Sequence, residues 1–332
     1  MVTLEDIARK LNISVSIVSR ALNNKYGVKK ATREMVKKAA EEMGYQPNAA
    51  ARSLATRKTA TLGVVLASMA DYYSTAIING MEFMASKTGY SLLFSNSFEY
   101  HDDRDILNKM VFSQRVDGLI IVGSKISQNP MIDELLDKGI PFVLLERNHG
   151  DPRSNCIWVN NIIGGYSATR HLIDKGHTRI AHIGGPQNLQ TAIDRLEGYK
   201  KALLEAGLPY EEELVIPKTY IWDGGYQAAK ELLAQTPRCS AIFAANDPMA
   251  YGVLFAAYEA GLSVPRDLAV IGYDDLEFSE IMQPPLTTLR QPRFEMGEKA
   301  VSLLATVLKK NLSGGEGTKI HLIPELIQRS SV

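Results

Sequence analysis

Cysteine and long apolar runs are scarce in this sequence of 332 residues. The two cysteines, Cys156 and Cys239, stand far apart in strand-like segments. They indicate small buried side chains in a reducing cytoplasm rather than a disulfide, and they have no metal-ligand spacing. No segment approaches the roughly 20 apolar residues that span a membrane. Because Glu5 and Asp6 precede any apolar stretch, we also expect no secretion signal.

Neither sign of charge is in excess, since Lys and Arg number 37 and so do Asp and Glu. The two signs of charge are nevertheless unevenly distributed along the chain. Residues 1–60 contain 12 basic and 5 acidic residues, whereas the remainder contains 25 and 32. A small basic module on an acidic body indicates a polyanionic partner for the module alone.

Motifs of catalysis are also missing. The histidines His171, His177, His182 and His321 have no serine or cysteine nucleophile motif near them, and a lone histidine is more often structural than a general base. The glycine-containing stretch GGPQN has neither the G-x-G-x-x-G nor the Walker spacing that cradles a nucleotide. The sequence therefore predicts a protein that is not an enzyme and needs no cofactor or metal.

The first 46 residues carry three helix patterns. Leu4–Leu11 has an apolar stripe with Thr3 as its cap, a second helix is predicted from Val15 to about Leu22 with Ser14 as its cap, and a third from about Thr32 to Met43. Two helices joined by a three-residue turn and braced by a third predict a helix-turn-helix unit. The alternative is a three-helix cap whose charged face is simply solvated.

The second helix of such a unit enters the DNA major groove with its N-terminal residues leading. Its outward residues Val15, Ser16 and Arg20 offer a surface for a thymine methyl, a permissive hydroxyl and a bidentate partner for guanine. The neighbouring polar and basic side chains are better placed for phosphates; these are Ser14, Ser19, Asn23, Lys25, Lys29 and Lys30.

The stretches TLEDIARKLNISVSIVSRALNN and TREMVKKAAEEMGYQPNAAARSLATRKT resemble the DNA-binding headpiece of the LacI/GalR family of bacterial repressors. The resemblance implies a headpiece over 1–46, and a hinge helix over 48–56 within a linker over 47–60. That hinge folds when two subunits meet on the operator, and Leu54 wedges into the minor groove. The DNA-binding residues so implied are Thr3, Ser14, Val15, Ser16, Ser19, Arg20, Asn23, Asn48, Ala51, Arg52 and Leu54.

The composition of the hinge segment agrees with this role. Asn48 is a good helix cap and the following alanines favour helix, yet nine residues are too few for a stable helix in water. An apolar wedge such as Leu54 kinks the duplex. The alternative is a flexible linker. One departure from the family is Lys29-Lys30-Ala31, where a serine-like cap is usual, and Thr32 is a candidate substitute.

Beyond residue 60 short apolar strands alternate with amphipathic helices. Nine strand-like runs are TLGVVLAS, YSLLFSNS, DGLIIVGS, PFVLLER, CIWVN, RIAHIGGP, SAIFAAND, LAVIGYDD and LTTLRQP. This alternation predicts doubly wound parallel sheets, and the length predicts two similar subdomains. Polar groups follow several strands, as Glu146-Arg147, Asn246-Asp247 and Asp274-Asp275 do. Tyr220 and Trp222 are expected in a loop before Gly224-Gly225. With nearby aromatic residues the strand-end groups indicate a sugar pocket, although Asp247 could be only a helix cap and Glu146-Arg147 only an ion pair.

The body also resembles the core of the LacI/GalR family, which shares its fold with periplasmic sugar-binding proteins. The resemblance is carried by VNNIIGGYSATRHLIDKGHTRIAHIGGP, RLEGYKKALLEAGL, AIFAANDPMAYGVLFAAYEAGLSVPRDLAVIGYDD and PPLTTLRQP. It implies an effector-binding and dimerisation domain over 61–332, with an N-subdomain (61–159 and 291–318) and a C-subdomain (162–288 and 321–332). The implied effector-binding residues are Tyr72, Tyr73, Arg147, Thr191, Arg195, Tyr220, Asn246 and Asp274.

Together these observations predict a cytoplasmic homodimeric repressor that binds a pseudo-palindromic operator and is controlled by a small ligand, expected to be a sugar, between two subdomains. A stand-alone sugar receptor would carry a secretion signal and no basic headpiece. An α/β enzyme would need a nucleophile or cofactor motif. Some relatives answer to purines or to a phosphoprotein, and the effector's identity and its direction of action stay open.

Overall fold

A computed structural model describes residues 2–46, 58–67, 69, 71–96, 103–123, 130–310 and 315–332. The predicted hinge residues Asn48, Ala51, Arg52 and Leu54 lie outside these ranges. The chain divides into two compact units, Met1–Thr59 and Ala60–Val332.

The first unit contains the three expected helices, α1 (Leu4–Leu11), α2 (Val15–Leu22) and α3 (Lys30–Glu42). Their apolar faces meet in one small core of Ile7, Ala8, Val18, Ala21, Val36, Ala39 and Ala40. The helix-turn-helix prediction is confirmed. The suggested Thr32 cap is wrong, because α3 begins two residues earlier and Lys29 occupies the cap position without a side-chain hydrogen bond.

The second unit contains two six-stranded sheets. The first has the order β11-β5-β4-β3-β1-β2 and is parallel throughout; its strands are β1 (Thr61–Leu66), β2 (Ser91–Asn96), β3 (Gly118–Val122), β4 (Phe142–Leu145), β5 (Asn155–Val159) and β11 (Lys319–Leu322). The second has the order β12-β10-β9-β8-β6-β7; its strands are β6 (Ile180–Gly184), β7 (Val215–Pro217), β8 (Ala241–Ala244), β9 (Ala269–Asp274), β10 (Thr287–Arg290) and β12 (Glu325–Ile327).

Helices cover both faces of each sheet, because the buried strands present apolar side chains on both sides. The helices are α4 (Tyr72–Thr88), α5 (Asp103–Leu107) continued by a π-helical turn (Asn108–Phe112), α6 (Pro130–Asp137), α7 (Asn161–Asp174), α8 (Gln190–Glu205), α9 (Trp222–Leu233), α10 (Asp247–Glu259) and α11 (Arg293–Lys310). On the first sheet α4 and α11 pack on one face and α5 and α6 on the other. On the second sheet α9 and α10 pack opposite α7 and α8.

Three helix pairs approach closely where glycines face each other's backbone. A Cβ atom on Gly80 of α4 would overlap the carbonyl oxygen of Phe294, and one on Gly297 of α11 would overlap that of Ile77. The same reciprocal arrangement joins α7 to α8 through Gly165 and Gly198, and α9 to α10 through Gly225 and Gly252. These glycines set how closely each helix pair packs.

The chain passes between the two sheets three times, after β5, after β10 and between β11 and β12. The doubly wound two-subdomain prediction is confirmed, while three short strands, β7, β11 and β12, were not anticipated. Each has three or four residues and lacks a run of buried side chains, so no strand pattern could be read from it.

Candidate functional site: a helix-turn-helix face and an interdomain cleft

Helix α2 divides its residues between a core side and an exposed side. Val18 and Ala21 are fully buried, whereas Val15, Ser16 and Arg20 are exposed. The three predicted base-reading residues therefore share the accessible side of one helix. The exposed lysines Lys25, Lys29 and Lys30 follow in the segment that leads into α3. The surface has the charge and residue types of a major-groove reader.

The other polar residues predicted to touch DNA also have structural partners. Thr3 and Asp6 form a capping box, in which the Thr3 hydroxyl accepts from the Asp6 amide (3.2 Å) and the Asp6 carboxylate accepts from the Thr3 amide (3.0 Å). The backbone and side-chain hydrogen bonds of Thr3 lower the pKa of Asp6. Ser14 caps α2 by accepting from the Ile17 amide at 3.3 Å.

At the opposite end of α2 the side chain of Asn23 donates to the carbonyl oxygen of Ser19 at 2.8 Å, and Ser19 is half-buried. The helix termini thus shape the surface, because their side chains satisfy backbone groups that the helix leaves unpaired. The exposed Arg20 side chain lies between these termini.

In the second unit, Arg195 of α8 forms the buried centre of a polar cluster. Its Nε donates to Asn161 Oδ1 at 2.8 Å and its Nη1 donates to the carbonyl oxygen of Ala245 at 2.5 Å. Its guanidinium carbon lies 3.8 Å from the centroid of the Tyr273 ring. The guanidinium plane is therefore held on three sides, with Nη2 directed towards Asp274 at 3.9 Å.

Asp274 is the last residue of β9 and has a φ of 114°, outside the range that L-residues usually adopt. Its Oδ1 accepts from Gln291 Nε2 at 2.6 Å. Burial raises the pKa of Asp274 to about 6, against the opposing effect of Arg195 and of the Gln291 hydrogen bond. The carboxylate is consequently a desolvated acceptor at a strand end.

The first subdomain contributes Glu146 and Tyr73 to the same cluster. Desolvation raises the pKa of Glu146 to about 7, although the residue keeps some exposed surface, and the Tyr73 hydrogen bond and the Arg195 charge act in the opposite direction. The hydroxyl oxygen of Tyr73 also lies 3.4 Å from Gln291 Oε1. Electrostatic interactions thus link Tyr73, Glu146, Arg195 and Asp274 across the cleft.

Two further contacts close the cleft between the subdomains. The Tyr72 ring meets the Phe278 ring edge-on, with centroids 4.9 Å apart. Arg293, at the start of α11, donates to the carbonyl oxygens of Tyr72 (2.9 Å) and Asp275 (3.0 Å). Tyr72, which is exposed, therefore takes part in the closure of the cleft.

The remaining predicted effector residues lie around this cluster in different roles. The Arg195 guanidinium lies 5.8 Å from the centroid of the Tyr220 ring, and Thr191 is close enough to hydrogen-bond the Tyr220 hydroxyl. Asn246 caps α10 by accepting from the Met249 amide (3.0 Å) and donates to the carbonyl oxygen of Tyr220 (3.1 Å). Arg147 is half-buried directly after Glu146.

Three local expectations are corrected. Asp247 is not the cap of α10, since Asn246 is, and the Asp247 carboxylate is fully buried. Glu146 is more than a member of a local pair with Arg147, because the Tyr73 hydrogen bond and the Arg195 charge both act on its carboxylate. Trp222 does not lie in a loop before the glycines, because α9 begins at Trp222 itself and its ring stacks on Tyr226 with centroids 5.1 Å apart.

Among the described residues no group of three His, Cys, Asp or Glu side chains could hold a metal ion. Within the same ranges no helix is both long and apolar enough to cross a bilayer.

Comparison with known proteins identifies the family. A model of bacterial regulatory proteins, lacI family, matches residues 3–48, and a model of a periplasmic binding protein-like domain matches residues 169–332. The ribose operon repressor of Escherichia coli (strain K12) is 36% identical over 336 residues, covering 100% of both chains. This chain belongs to the lacI family. Its likeness to that family spans the headpiece and the core alike.

Two solved structures of related regulators are similar to this chain over nearly its full length. The lac repressor dimer bound to operator and the anti-inducer ONPF has a TM-score of 0.87 at 28% identity, covering 99% of this chain and 98% of that one. The complex of the transcriptional regulator CelR with cellobiose has a TM-score of 0.77 at 32% identity, covering 100% of both chains.

Sequence reasoning missed Asn161 and Gln291, and it named Glu146 among the strand-end groups of the pocket without including it in the effector-binding residues. Each of the three follows a strand: Glu146 follows β4, Asn161 comes after β5, and Gln291 follows β10. The position after a parallel strand was the signal that found Asp274, and applied uniformly it would have found these residues as well.

Proposed function

We propose that this chain is a repressor that binds a pseudo-palindromic DNA operator as a homodimer. Its affinity for that operator is controlled by a sugar bound in the interdomain cleft. The chain acts through binding rather than catalysis, and an operator-binding role implies a location in the bacterial cytoplasm. The proposed division is a DNA-binding domain over 1–46, a hinge helix and linker over 47–60, and a ligand-binding and dimerisation domain over 61–332.

The exposed face of α2 supports the DNA-binding part. Val15, Ser16 and Arg20 are accessible together, and the net charge of residues 1–60 is strongly positive. Two such headpieces related by a two-fold axis match an inverted repeat. The lac repressor, which shares the fold over almost the full length, was solved as a dimer on its operator.

One observation carries the ligand-binding part: Arg195 and Asp274 of one subdomain face Tyr73 and Glu146 of the other. A guanidinium group and two carboxylates offer donors and acceptors to adjacent hydroxyl groups, and the tyrosine rings offer faces to the C–H groups of a sugar. The cellobiose complex of CelR and the name of the ribose operon repressor agree with this ligand class.

The cleft supplies a mechanism for control. The subdomains are joined by three chain crossings, and Arg293 and the Tyr72–Phe278 pair bridge them beside the polar cluster. A ligand that contacts both walls favours the orientation in which those walls are close. That orientation in turn sets the spacing of the two hinge segments in the dimer, which couples the sites.

The DNA-binding part is tested by selecting bound duplexes from a random library with the full chain. We expect the selected duplexes to share an inverted repeat. Their dissociation constant should rise steeply with salt because phosphate contacts release counterions. Selected duplexes without an inverted repeat, or binding that does not depend on salt, would refute this part.

The ligand part is tested by a thermal-shift screen of the full chain against mono- and disaccharides, D-ribose and cellobiose among them, because a ligand that binds the folded state raises the melting temperature. A hit should also change the affinity for the selected operator. A screen in which purines raise the melting temperature and no sugar does would replace the sugar by a purine.

A further inference from the structure

Asp247, the first residue of α10, has a fully buried carboxylate that accepts three hydrogen bonds from the loop and strand beside the cleft. Its Oδ2 accepts from the Leu276 amide (2.8 Å) and from the Ser279 hydroxyl (2.6 Å), and its Oδ1 accepts from the Thr288 hydroxyl (2.6 Å). All three donors lie on the chain that follows Asp274 or on the adjacent strand β10. The carboxylate therefore anchors this chain to the start of α10.

The β-sheet leaves space for this anchor. A Cβ atom on Gly272, two residues before Asp274 on β9, would overlap Oδ1 of Asp247. The carboxylate thus lies directly over the strand whose end carries the ligand-facing Asp274, at a point where the strand has no side chain.

The anchored chain has an unusual backbone. Asp274 and Asp275 both have positive φ angles, 114° and 53°, and such conformations persist only where the surroundings enforce them. The Asp275 carboxylate is held from the other side by Arg290 (2.7 Å) and Arg329 (2.7 Å). Asp247 adds a second restraint on the buried side, because its carboxylate accepts from the amide of Leu276, the residue after Asp275.

The neighbouring residue, Asn246, restrains a second segment of the same subdomain. Asn246 donates to the carbonyl oxygen of Tyr220, so the dipeptide Asn246-Asp247 holds both Tyr220 and the Asp274 loop from one helix terminus. We propose that Asp247 is a positioning residue of the ligand site, which keeps the Asp274 carboxylate at the distance from Arg195 that ligand capture requires. The proposal rests on the ligand-binding role above.

The test compares four variants of the full chain. Asp247→Ala removes all three acceptors, whereas Asp247→Asn keeps the shape and can still accept from the Leu276 amide while it donates to a hydroxyl oxygen. Thr288→Val removes, at nearly constant volume, the hydrogen bond to Asp247 (2.6 Å) and the longer one that the Asp275 amide donates to the Thr288 hydroxyl (3.4 Å). Tyr251→Phe is the matched control, because the Tyr251 hydroxyl contacts Ser279 (2.9 Å) but not Asp247 itself.

The first measurement needs no ligand. Hydrogen–deuterium exchange of the amides of residues 276–280, which leaves out the Asp275 amide bonded to Thr288, should accelerate by about tenfold or more in Asp247→Ala, by less in Thr288→Val, and little in Asp247→Asn and Tyr251→Phe, because buried amides exchange when their acceptor is lost. Unchanged exchange in both Asp247→Ala and Thr288→Val would overturn the proposal. If Asp247→Ala does not fold, the exchange rate measured in Thr288→Val tests the proposal in its place.

The second measurement is calorimetric titration with D-ribose and cellobiose. We expect Asp247→Ala to weaken binding about tenfold or more and Asp247→Asn to restore it to within a few-fold, while operator affinity without sugar is unchanged. Equal weakening in both variants would point to the charge itself and contradict a positioning role. If the wild-type chain binds neither sugar, the proposed ligand class fails, and the exchange measurement still decides the role of Asp247.

Discussion

The Arg195 guanidinium and the Asp274 carboxylate lie 3.9 Å apart, and their side chains are only 5% and 6% exposed. At that separation the two groups attract each other without filling each other's hydrogen-bonding capacity, since Arg195 is held by Asn161 and Ala245, and Asp274 by Gln291. A hydroxyl-bearing ligand could therefore accept from the one and donate to the other. The relationship makes Asp274 the natural first target for mutation.

Asp274→Asn should weaken the response to the effector by about tenfold or more, because hydrogen bonds to charged groups contribute roughly 1.5–3 kcal/mol. Operator affinity in the absence of effector should be unchanged, since the headpiece is a separate compact unit. The measurement is operator binding by fluorescence anisotropy across an effector titration. An undiminished response would remove Asp274 from the ligand site.

Arg20→Ala should reduce the preference for the selected operator over random duplex by about tenfold or more, because a bidentate arginine–guanine contact discriminates by roughly 1–3 kcal/mol. Arg9→Ala is the control, since Arg9 is also exposed in the headpiece but lies on α1, where it is 3.8 Å from Asp6. The control should leave the preference nearly intact. Equal effects of the two variants would show that only charge, and not base reading, is lost.

Glu146→Gln should change how stability depends on pH. The folded pKa of Glu146 is about 7, above its ordinary value of 4.5. Between these values the folded chain holds a proton that the unfolded chain has released, so this group's contribution to stability is full at low pH and is lost as pH rises through about 7. Glutamine carries no titrating proton.

The melting temperature of the wild type should therefore fall relative to that of Glu146→Gln as pH is raised from about 5 to about 8. Comparing the two chains at each pH cancels the titration of the other buried groups, such as Asp274 and His182. A constant difference across this range would contradict the raised pKa.

Gly80→Ala should destabilise the core by roughly 1–3 kcal/mol, because the added methyl group overlaps the backbone of α11 at a close helix crossing. Alanine has the higher helix propensity, so a gain in stability would be expected if the crossing had room. Asn79→Ala on the exposed side of the same helix is the control. Thermal melting of both variants measures the difference, and a melting temperature for Gly80→Ala at or above that of the control would contradict the tight crossing.

Apolar periodicity and strand–helix alternation carried most of the fold prediction. The headpiece helices could be bounded from sequence because Thr3 and Ser14 are caps whose hydrogen bonds are local. The start of α3 was misplaced because no side chain caps it, and the short edge strands β7, β11 and β12 escaped because pairing with neighbours, rather than their own pattern, makes them strands.

The residues of the candidate ligand site also fall into those that the sequence identified and those that only the structure identified. Arg195 and Asp274 could be named from sequence, since each belongs to a segment that resembles the family. Asn161, Gln291 and Asp247 acquired their roles only from contacts over 34, 17 and 29 to 41 residues of chain. No local pattern records which distant donor an amide or carboxylate will meet.

The sequence by itself determined where the capped helices α1 and α2 begin, which module is basic, and which of the longer strands end in polar groups, because these follow from periodicity, capping and charge within a few residues. Only the tertiary structure decided that Asp247 is an anchor and not a cap, and that Glu146 and Tyr73 face Arg195 and Asp274 across the cleft. Those facts depend on the packing of two sheets, which sets the distances between segments that are far apart along the chain.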